Sequence, residues 1–123
     1  MSMTLDWMIG VDDEWCRFDA IDLDSPCFQN LHGVYIIWFG PDDKGHEGRV
    51  VKVGYGHIHN KLAAEREDPV LTRYTSRGLL VTWAEVDLAH RASVEAYLNG
   101  VLNPLINDPH PSPVQTLVNL PPW

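Results

Sequence analysis

The chain has 123 residues, a hydrophobic content of 45%, a charged content of 21% and a formal net charge of −8. This length suits one domain with a single modest core, and the composition is that of an ordinary folded protein. We expect a cytoplasmic protein with no membrane partner, since no apolar run approaches the roughly 20 residues that span a bilayer and the N-terminus is acidic. Cys16 and Cys27 fit no metal-binding spacing and are expected to be free, buried thiols.

The charges are unevenly distributed along the chain. Residues 1–30 hold seven acidic residues and one basic residue, whereas residues 44–77 hold seven basic and four acidic residues. Both stretches are compatible with an ordinary solvated surface, because charged side chains usually lie in water. As binding surfaces, they predict weak contact with DNA through residues 44–77 and a contact with a protein partner through the acidic N-terminal segment.

The first predicted elements are strands. Alternating apolar and acidic residues in CRFDAIDL, residues 16–23, predict a short edge strand. The run GVYIIWFG, residues 33–40, is rich in β-branched and aromatic residues and predicts a strand buried on both faces. After the glycine-containing loop of residues 41–48, the run RVVKVGYG, residues 49–56, predicts the antiparallel partner of that strand in a hairpin.

Helices and a third strand follow. Asn60 is the expected N-cap of a first helix, and Asp68-Pro69 has the sequence of a cap and first residue of a second one. The run LLVTWAEV, residues 79–86, predicts a strand, and the apolar spacing in residues 91–103 predicts an amphipathic helix packed across the sheet. The fold class is therefore α+β, with a small, mostly antiparallel three-stranded sheet and flanking helices.

The expected organisation is a single domain over residues 1–123. Residues 1–31 form an acidic N-terminal extension, residues 33–107 form the core and residues 108–123 form a proline-rich tail. Proline fixes one backbone angle and donates no hydrogen bond, so we expect the tail to be extended and irregular.

Short motifs in a fixed order resemble the GIY-YIG nuclease superfamily. Gly33-Val34-Tyr35 is similar to the first motif, and Val53-Gly54 to the last two positions of the second motif. Glu95 on the last helix is followed by Pro104 and Asn107, a spacing similar to the family's ending. The resemblance covers about residues 33 to 107 and implies the same element order.

Several positions depart from the family pattern. Lys52 stands where the second motif has a tyrosine, and Lys61 stands where the next helix has an arginine. Glu65 stands one turn later, where a histidine is often found. Asn119, in VNLPPW, is an alternative to Asn107 if the tail carries an insertion.

The resemblance implies a metal-dependent endonuclease that hydrolyses DNA phosphodiester bonds. Such hydrolysis needs an activated water and stabilisation of the charge on the phosphate. Glu95 is the expected ligand of Mg²⁺ (or Mn²⁺), and Tyr35 is expected to orient or deprotonate the water. Lys52 and Lys61 are expected to contact phosphate, although a lysine lacks the planar fork with which an arginine grips two oxygens. Without the resemblance, the expected role of Tyr35 is that of a core tyrosine, and Glu95 is expected to be a solvated glutamate on the helix surface.

Other residues complete the expected substrate site. Arg66, one turn beyond Lys61, could contact the phosphate instead, and Gly54 would let substrate approach the backbone closely. Asn107 or Asn119 would bind substrate as the asparagine of the family's ending.

Two further hypotheses stay open at this point. The departures favour a catalytically degenerate domain that binds nucleic acid or a protein partner. The other hypothesis makes the acidic N-terminal segment a lid over the basic residues 44–77, so that activity appears only with a partner.

Overall fold

A computed structural model describes residues 2–10, 13–106 and 114–123 of the chain. The strands in these residues are β1 (Ser2–Met3), β2 (Cys16–Arg17), β3 (His32–Phe39), β4 (Arg49–His57), β5 (Leu80–Glu85) and β6 (Leu117–Val118). The α-helices are α1 (Ile58–Arg66), α2 (Pro69–Thr72) and α3 (Arg91–Leu102). Two short 3₁₀ helices cover Pro26–Phe28 and Thr75–Arg77. None of the described helices has the length and apolar character that would let it cross a bilayer.

The main sheet has four antiparallel strands in the order β2-β5-β3-β4. β3 is paired on both sides, so that Tyr35 lies opposite Gly54 of β4 and opposite Trp83 of β5. The expected α+β class, the hairpin and the third strand are confirmed. The expected count of three strands is wrong, because Cys16–Arg17 pairs with β5 and adds a fourth strand at that edge. Only two residues of the predicted edge strand are extended, since turns follow directly.

A second, two-stranded sheet pairs β1 with β6 in parallel. It brings a segment of the N-terminal extension beside a segment of the tail, which the sequence analysis treated as separate parts. Strands of two residues are too short to show an alternating pattern, so nothing in the sequence predicted this sheet.

Helices lie on both faces of the main sheet. One face carries α1 and α2, and its cluster of buried side chains includes Tyr35, Ile37 and Leu62. The other face carries α3, and its cluster includes Ile36 and residues of that helix, Val94 and Leu98. Successive residues of a strand point to opposite faces, so β3 contributes to both clusters and is buried on both sides, as its sequence predicted.

The helix starts partly follow the sequence prediction. Asp68 caps α2, because its Oδ1 accepts the Val70 N–H at 2.9 Å, and Pro69 is the first helical residue, as expected. The predicted cap of α1 is wrong. His57 occupies that position, and its Nδ1 accepts the N–H of Asn60 at 3.3 Å. Asparagine is the more common capping residue, which explains why the sequence pointed to Asn60.

Two glycines of the family-like motifs allow close approach inside the sheet. A Cβ at Gly33 would lie 1.9 Å from the carbonyl oxygen of Ala84 on β5. A Cβ at Gly54 would lie 2.3 Å from the hydroxyl oxygen of Tyr35. No larger residue fits either position without a shift of the backbone or of a buried ring, so these glycines have a structural reason that is independent of any reaction.

Asn119 links the two ends of the described chain. Its Oδ1 accepts the Leu5 N–H at 2.6 Å, and its Nδ2 donates to the Leu5 carbonyl at 3.0 Å. Trp7 adds a third bond, from its Nε1 to the Asn119 carbonyl oxygen at 2.8 Å. We call this set of three hydrogen bonds the terminal clasp.

Asn119→Ala is expected to lower the free energy of unfolding by about 1–2 kcal/mol, because both hydrogen-bonding groups of the Leu5 backbone lose their partner. Urea denaturation of the variant and the wild type measures the difference. Gln29→Ala, at an exposed position, is the control and should change stability by less than about 0.5 kcal/mol. An Asn119 variant as stable as this control would contradict the structural role of the clasp.

Candidate functional site

Tyr35 lies in the middle of the sheet and is 2% exposed. Its side chain belongs to the cluster beneath α1, and its hydroxyl lies against the backbone of Gly54, its cross-strand neighbour. The sequence predicted that Tyr35 and Gly54 belong to one site, and the structure places them in contact. The depth of the ring means that, in this conformation, the phenol is covered by protein rather than by solvent.

Lys52 and Glu65 form an ion pair beneath α1. The Lys52 Nζ lies 2.8 Å from the Glu65 Oε1, and the two side chains are only 14% and 8% exposed. Lys52 is opposite Ile37 in the β3–β4 register and therefore shares the sheet face on which Glu65 lies. The Glu65 Oε2 is buried and accepts no hydrogen bond from the described residues.

The pair joins two positions at which the sequence departs from the pattern that the resemblance implies. That pattern has a tyrosine at the position of Lys52 and often a histidine at the position of Glu65, and these two side chains contact each other. Each departure is visible in the sequence, but the contact between the two residues is not. The available signal was that opposite charges appear at two positions expected to belong to one site.

Lys61 lies on the exposed side of α1. Its side chain passes over Gly56, where an added Cβ would lie 2.9 Å from the Lys61 Cε. Gly56 has φ +134, a backbone conformation that other residues rarely adopt. Lys61 is therefore a surface cation of α1 that lies close to Gly56 of β4, two residues beyond Gly54 on that strand.

Glu95 is held within α3 by a residue one turn further on. Asn99 donates through Nδ2 to the Glu95 carbonyl oxygen at 3.0 Å and also to the Glu95 Oε1. Glu95 is 5% exposed, so the carboxylate is buried rather than solvated. Helix α3 packs against β3 and against β4, the edge strand that carries Lys52. Asn99 is a candidate functional residue that was not predicted, although a spacing of four residues on a helix is a signal for such a pair.

Arg66 binds the N-terminal extension. Its Nη2 donates to the carbonyl oxygens of Phe18 at 3.0 Å and Ile21 at 2.6 Å. Its guanidinium also lies over the Phe18 ring, 5.9 Å from the centroid. The sequence predicted a phosphate contact for this residue, but in the structure its hydrogen bonds fasten the acidic segment to α1.

Arg66→Met is expected to lower the free energy of unfolding by about 1.5–3 kcal/mol, because hydrogen bonds to a charged group are among the stronger ones. The change should also speed amide exchange around residues 18–23. Denaturation and hydrogen exchange measure the two effects. Arg73→Met, on an exposed residue of the same region, is the control. Equal stability of the two variants would show that Arg66 does not hold the segment.

The remaining expected substrate residues are the two asparagines. Asn107 lies outside the described residues. Asn119 uses both atoms of its amide in the terminal clasp, at the junction of the two ends of the chain.

The donor set around Glu95 fits a divalent cation poorly. The described residues contain no group of three histidine, cysteine or acidic side chains that could hold a metal ion. Glu65 already faces an ammonium group, and one oxygen of Glu95 already accepts from an amide. Mg²⁺ needs carboxylate oxygens that are accessible to it. The Mg²⁺ or Mn²⁺ implied by the resemblance thus stays a prediction that this arrangement does not favour.

Both cysteines are free, as the sequence predicted, but the expectation that they are buried is wrong, because Cys16 is partly exposed and Cys27 is exposed. Burial raises the pKa of the Cys16 thiol, and the nearby Cys27 adds to the rise. Because the thiolate is the nucleophile, this environment makes Cys16 a poor candidate for catalysis.

Comparisons of the chain with protein-family models, with curated proteins and with solved structures found no match in any of the three. The GIY-YIG resemblance consequently rests on the motifs in the sequence.

Proposed function

We propose that this chain is a catalytically degenerate GIY-YIG-like domain that binds a protein partner and does not hydrolyse DNA. The observation that carries the proposal is the buried ion pair between Lys52 and Glu65, 2.8 Å long, at two positions where the family pattern has other residues. A cation used to contact phosphate must be able to exchange its present partner for the substrate. Lys52 would have to leave a carboxylate that is itself buried.

The cost of such an exchange is large. A buried ion that loses its partner destabilises a protein by about 3–5 kcal/mol, because neither water nor another charge replaces the lost interaction. Glu65 would be left in that condition if Lys52 turned to a phosphate. A site that must be dismantled before it binds substrate is better explained as a structural replacement of the catalytic groups.

The remaining cations argue for a protein partner over DNA. Five of the nine basic side chains contact other groups of the protein: Arg17, Lys52, Arg66, Arg77 and Arg91. The other four are exposed. Each phosphate that a cation neutralises adds about −0.9 to the slope of log K against log salt concentration, so four cations support only weak, salt-sensitive DNA binding. Exposed acids of the N-terminal segment, including Glu14, Asp19, Asp22 and Asp24, suit a basic protein surface.

Nicking of supercoiled plasmid with Mg²⁺ or Mn²⁺ tests the proposal. The expected result is that the wild type and Glu95→Gln both stay at the buffer background. Wild-type nicking that Glu95→Gln abolishes would overturn it. Titration with an oligolysine peptide tests the partner class, and amide shifts are expected at residues 13–24, with smaller shifts on adding a single-stranded oligonucleotide.

The second candidate is the endonuclease itself. The observation that favours it is the retention of Tyr35 and Glu95 as buried polar residues at the expected places on β3 and α3. Buried ionisable groups are common in active sites, where their environment tunes them for reaction. The same nicking assay separates the two candidates, since only the nuclease predicts a difference between the wild type and Glu95→Gln.

A further inference from the structure

A groove with a volume of about 460 Å³ lies at the loop end of the β3–β4 hairpin, beside the end of α3. Its lining includes Trp38, Gly40, Arg49, Val101, Leu102 and Trp123. None of the residues predicted from the sequence as a catalytic or substrate-binding group lines it. The groove is therefore a separate feature from the Lys52–Glu65 site.

Three indole rings form the aromatic part of this region. The rings of Trp38 and Trp123 are 4.9 Å apart, and Trp15 lies 5.2 Å from Trp38 and 6.5 Å from Trp123. Trp38 is 7% exposed and is fixed by the core beneath α3, whereas Trp123 is 48% exposed. The buried Trp38 supports the half-exposed ring of Trp123 from behind, so Trp123 is the ring on which a bound aromatic molecule can stack.

Among the described residues, the lining contains one charged side chain. Arg49 is the one ionisable side chain among the lining residues that the structure describes, and it is exposed. A guanidinium binds a carboxylate through two parallel hydrogen bonds and also stacks on aromatic rings. The lining thus complements a ligand with one negative charge and an apolar body.

The space matches a small ligand. A Cβ at Gly40 would meet no atom within 4 Å, so the wall is open where the hairpin strand ends. Pockets for small molecules typically measure about 300–1,000 Å³ and combine apolar walls with a few polar groups. A volume of about 460 Å³ lies within that range.

We propose that this groove binds a small planar aromatic carboxylate, with its ring on Trp123 beside the edge of Trp38 and its carboxylate on Arg49. This site is independent of the proposed function, because it uses none of the residues on which the nuclease question depends.

Titration of the full chain with cinnamate, followed by the NMR signals of the indole N–H groups, tests the proposal. Each of the five tryptophans gives its own indole N–H signal, which reports on the surroundings of that ring. We expect saturable shifts at Trp38 and Trp123. Trp7, whose N–H donates to the Asn119 carbonyl oxygen, and Trp83, in the core on the other face, should not shift. Larger shifts at Trp7 or Trp83, or no saturation up to the solubility limit of cinnamate, would overturn the site.

Matched probes and variants test the chemistry. Cinnamamide, which lacks the charge, and cyclohexaneacetate, which lacks the planar ring, should each bind about tenfold more weakly. Arg49→Gln should weaken cinnamate to the level of cinnamamide, whereas Arg73→Gln, an exposed cation outside the lining, should have no effect. Trp123→Ala should also weaken binding, and circular dichroism verifies that this variant is folded. Equal affinity for cinnamate and cinnamamide, or an Arg49→Gln variant that binds like the wild type, would overturn the assignment.

Discussion

Lys52→Met is expected to lower the free energy of unfolding by about 3–5 kcal/mol, although the side chain keeps nearly the same length. The Glu65 carboxylate is 8% exposed and would lose the ammonium group at 2.8 Å while its Oε2 already accepts no hydrogen bond from the described residues. An unpaired charge would then be buried between β4 and α1. Urea denaturation of the variant and the wild type at neutral pH measures the loss.

The double variant Lys52→Met/Glu65→Met separates the pair from its surroundings. Replacement of both buried ions by apolar residues of similar size is often neutral or stabilising, so the double variant should regain most of the lost stability. Arg17→Met removes one member of an exposed pair, in which Arg17 and Asp19 are 67% and 56% exposed, and should cost less than about 1 kcal/mol. A Lys52→Met effect as small as the Arg17→Met effect would mean that the pair is not buried in solution.

The triple variant Lys52→Tyr/Lys61→Arg/Glu65→His carries the three residues that the resemblance implies. If the Glu95 carboxylate exchanges its contact with Asn99 for Mg²⁺, the expected gain in plasmid nicking is about 100-fold over the background. A positioned acid or base contributes about 10²–10⁴ to a rate, and an arginine adds a bidentate contact to phosphate. The triple variant removes both members of the Lys52–Glu65 ion pair together, so neither charge is left buried without its partner. Lys52→Tyr alone should stay inactive and unstable, because it leaves Glu65 without its ammonium partner, and Lys61→Arg alone leaves the ion pair in place.

The control for the triple variant is the same chain with Glu95→Gln, which should return to the background. Circular dichroism and the thermal midpoint verify that both proteins are folded. A folded triple variant that neither nicks plasmid nor binds Mg²⁺ would show that the resemblance to GIY-YIG nucleases is confined to the motifs and carries no latent reaction.

The parts of the fold with strong periodicity could be predicted from the sequence. The continuous apolar run of β3 indicates a buried strand, and the spacing of Val94 and Leu98 indicates one face of the helix α3. The two-residue strands β1 and β6 had no pattern to detect, whereas β2 lies within the longer edge strand that the alternating residues 16–23 predicted. His57 was missed as a cap because imidazole is an unusual acceptor at a helix start.

The site was harder to predict because its contacts join distant parts of the chain. Lys52 and Glu65 are 13 residues apart and meet only when α1 folds back along β4. Arg66 reaches carbonyl groups 48 and 45 residues away, and backbone carbonyls carry no signature in a sequence. The sequence could name the residue types that suit phosphate chemistry, but it could not show that the protein itself supplies their partners.

The terminal clasp also bears on how the protein folds and opens. Leu5 and Asn119 are 114 residues apart, so their hydrogen bonds close a loop that includes nearly the whole chain. Contacts of such long range form late, after the hairpin and the helices have shortened the effective distance between them. They also break as a unit, because β1 has no neighbour in its sheet other than β6 among the described strands. Amide protons of Leu5 and Val118 should therefore exchange with the same opening free energy, below that of β3.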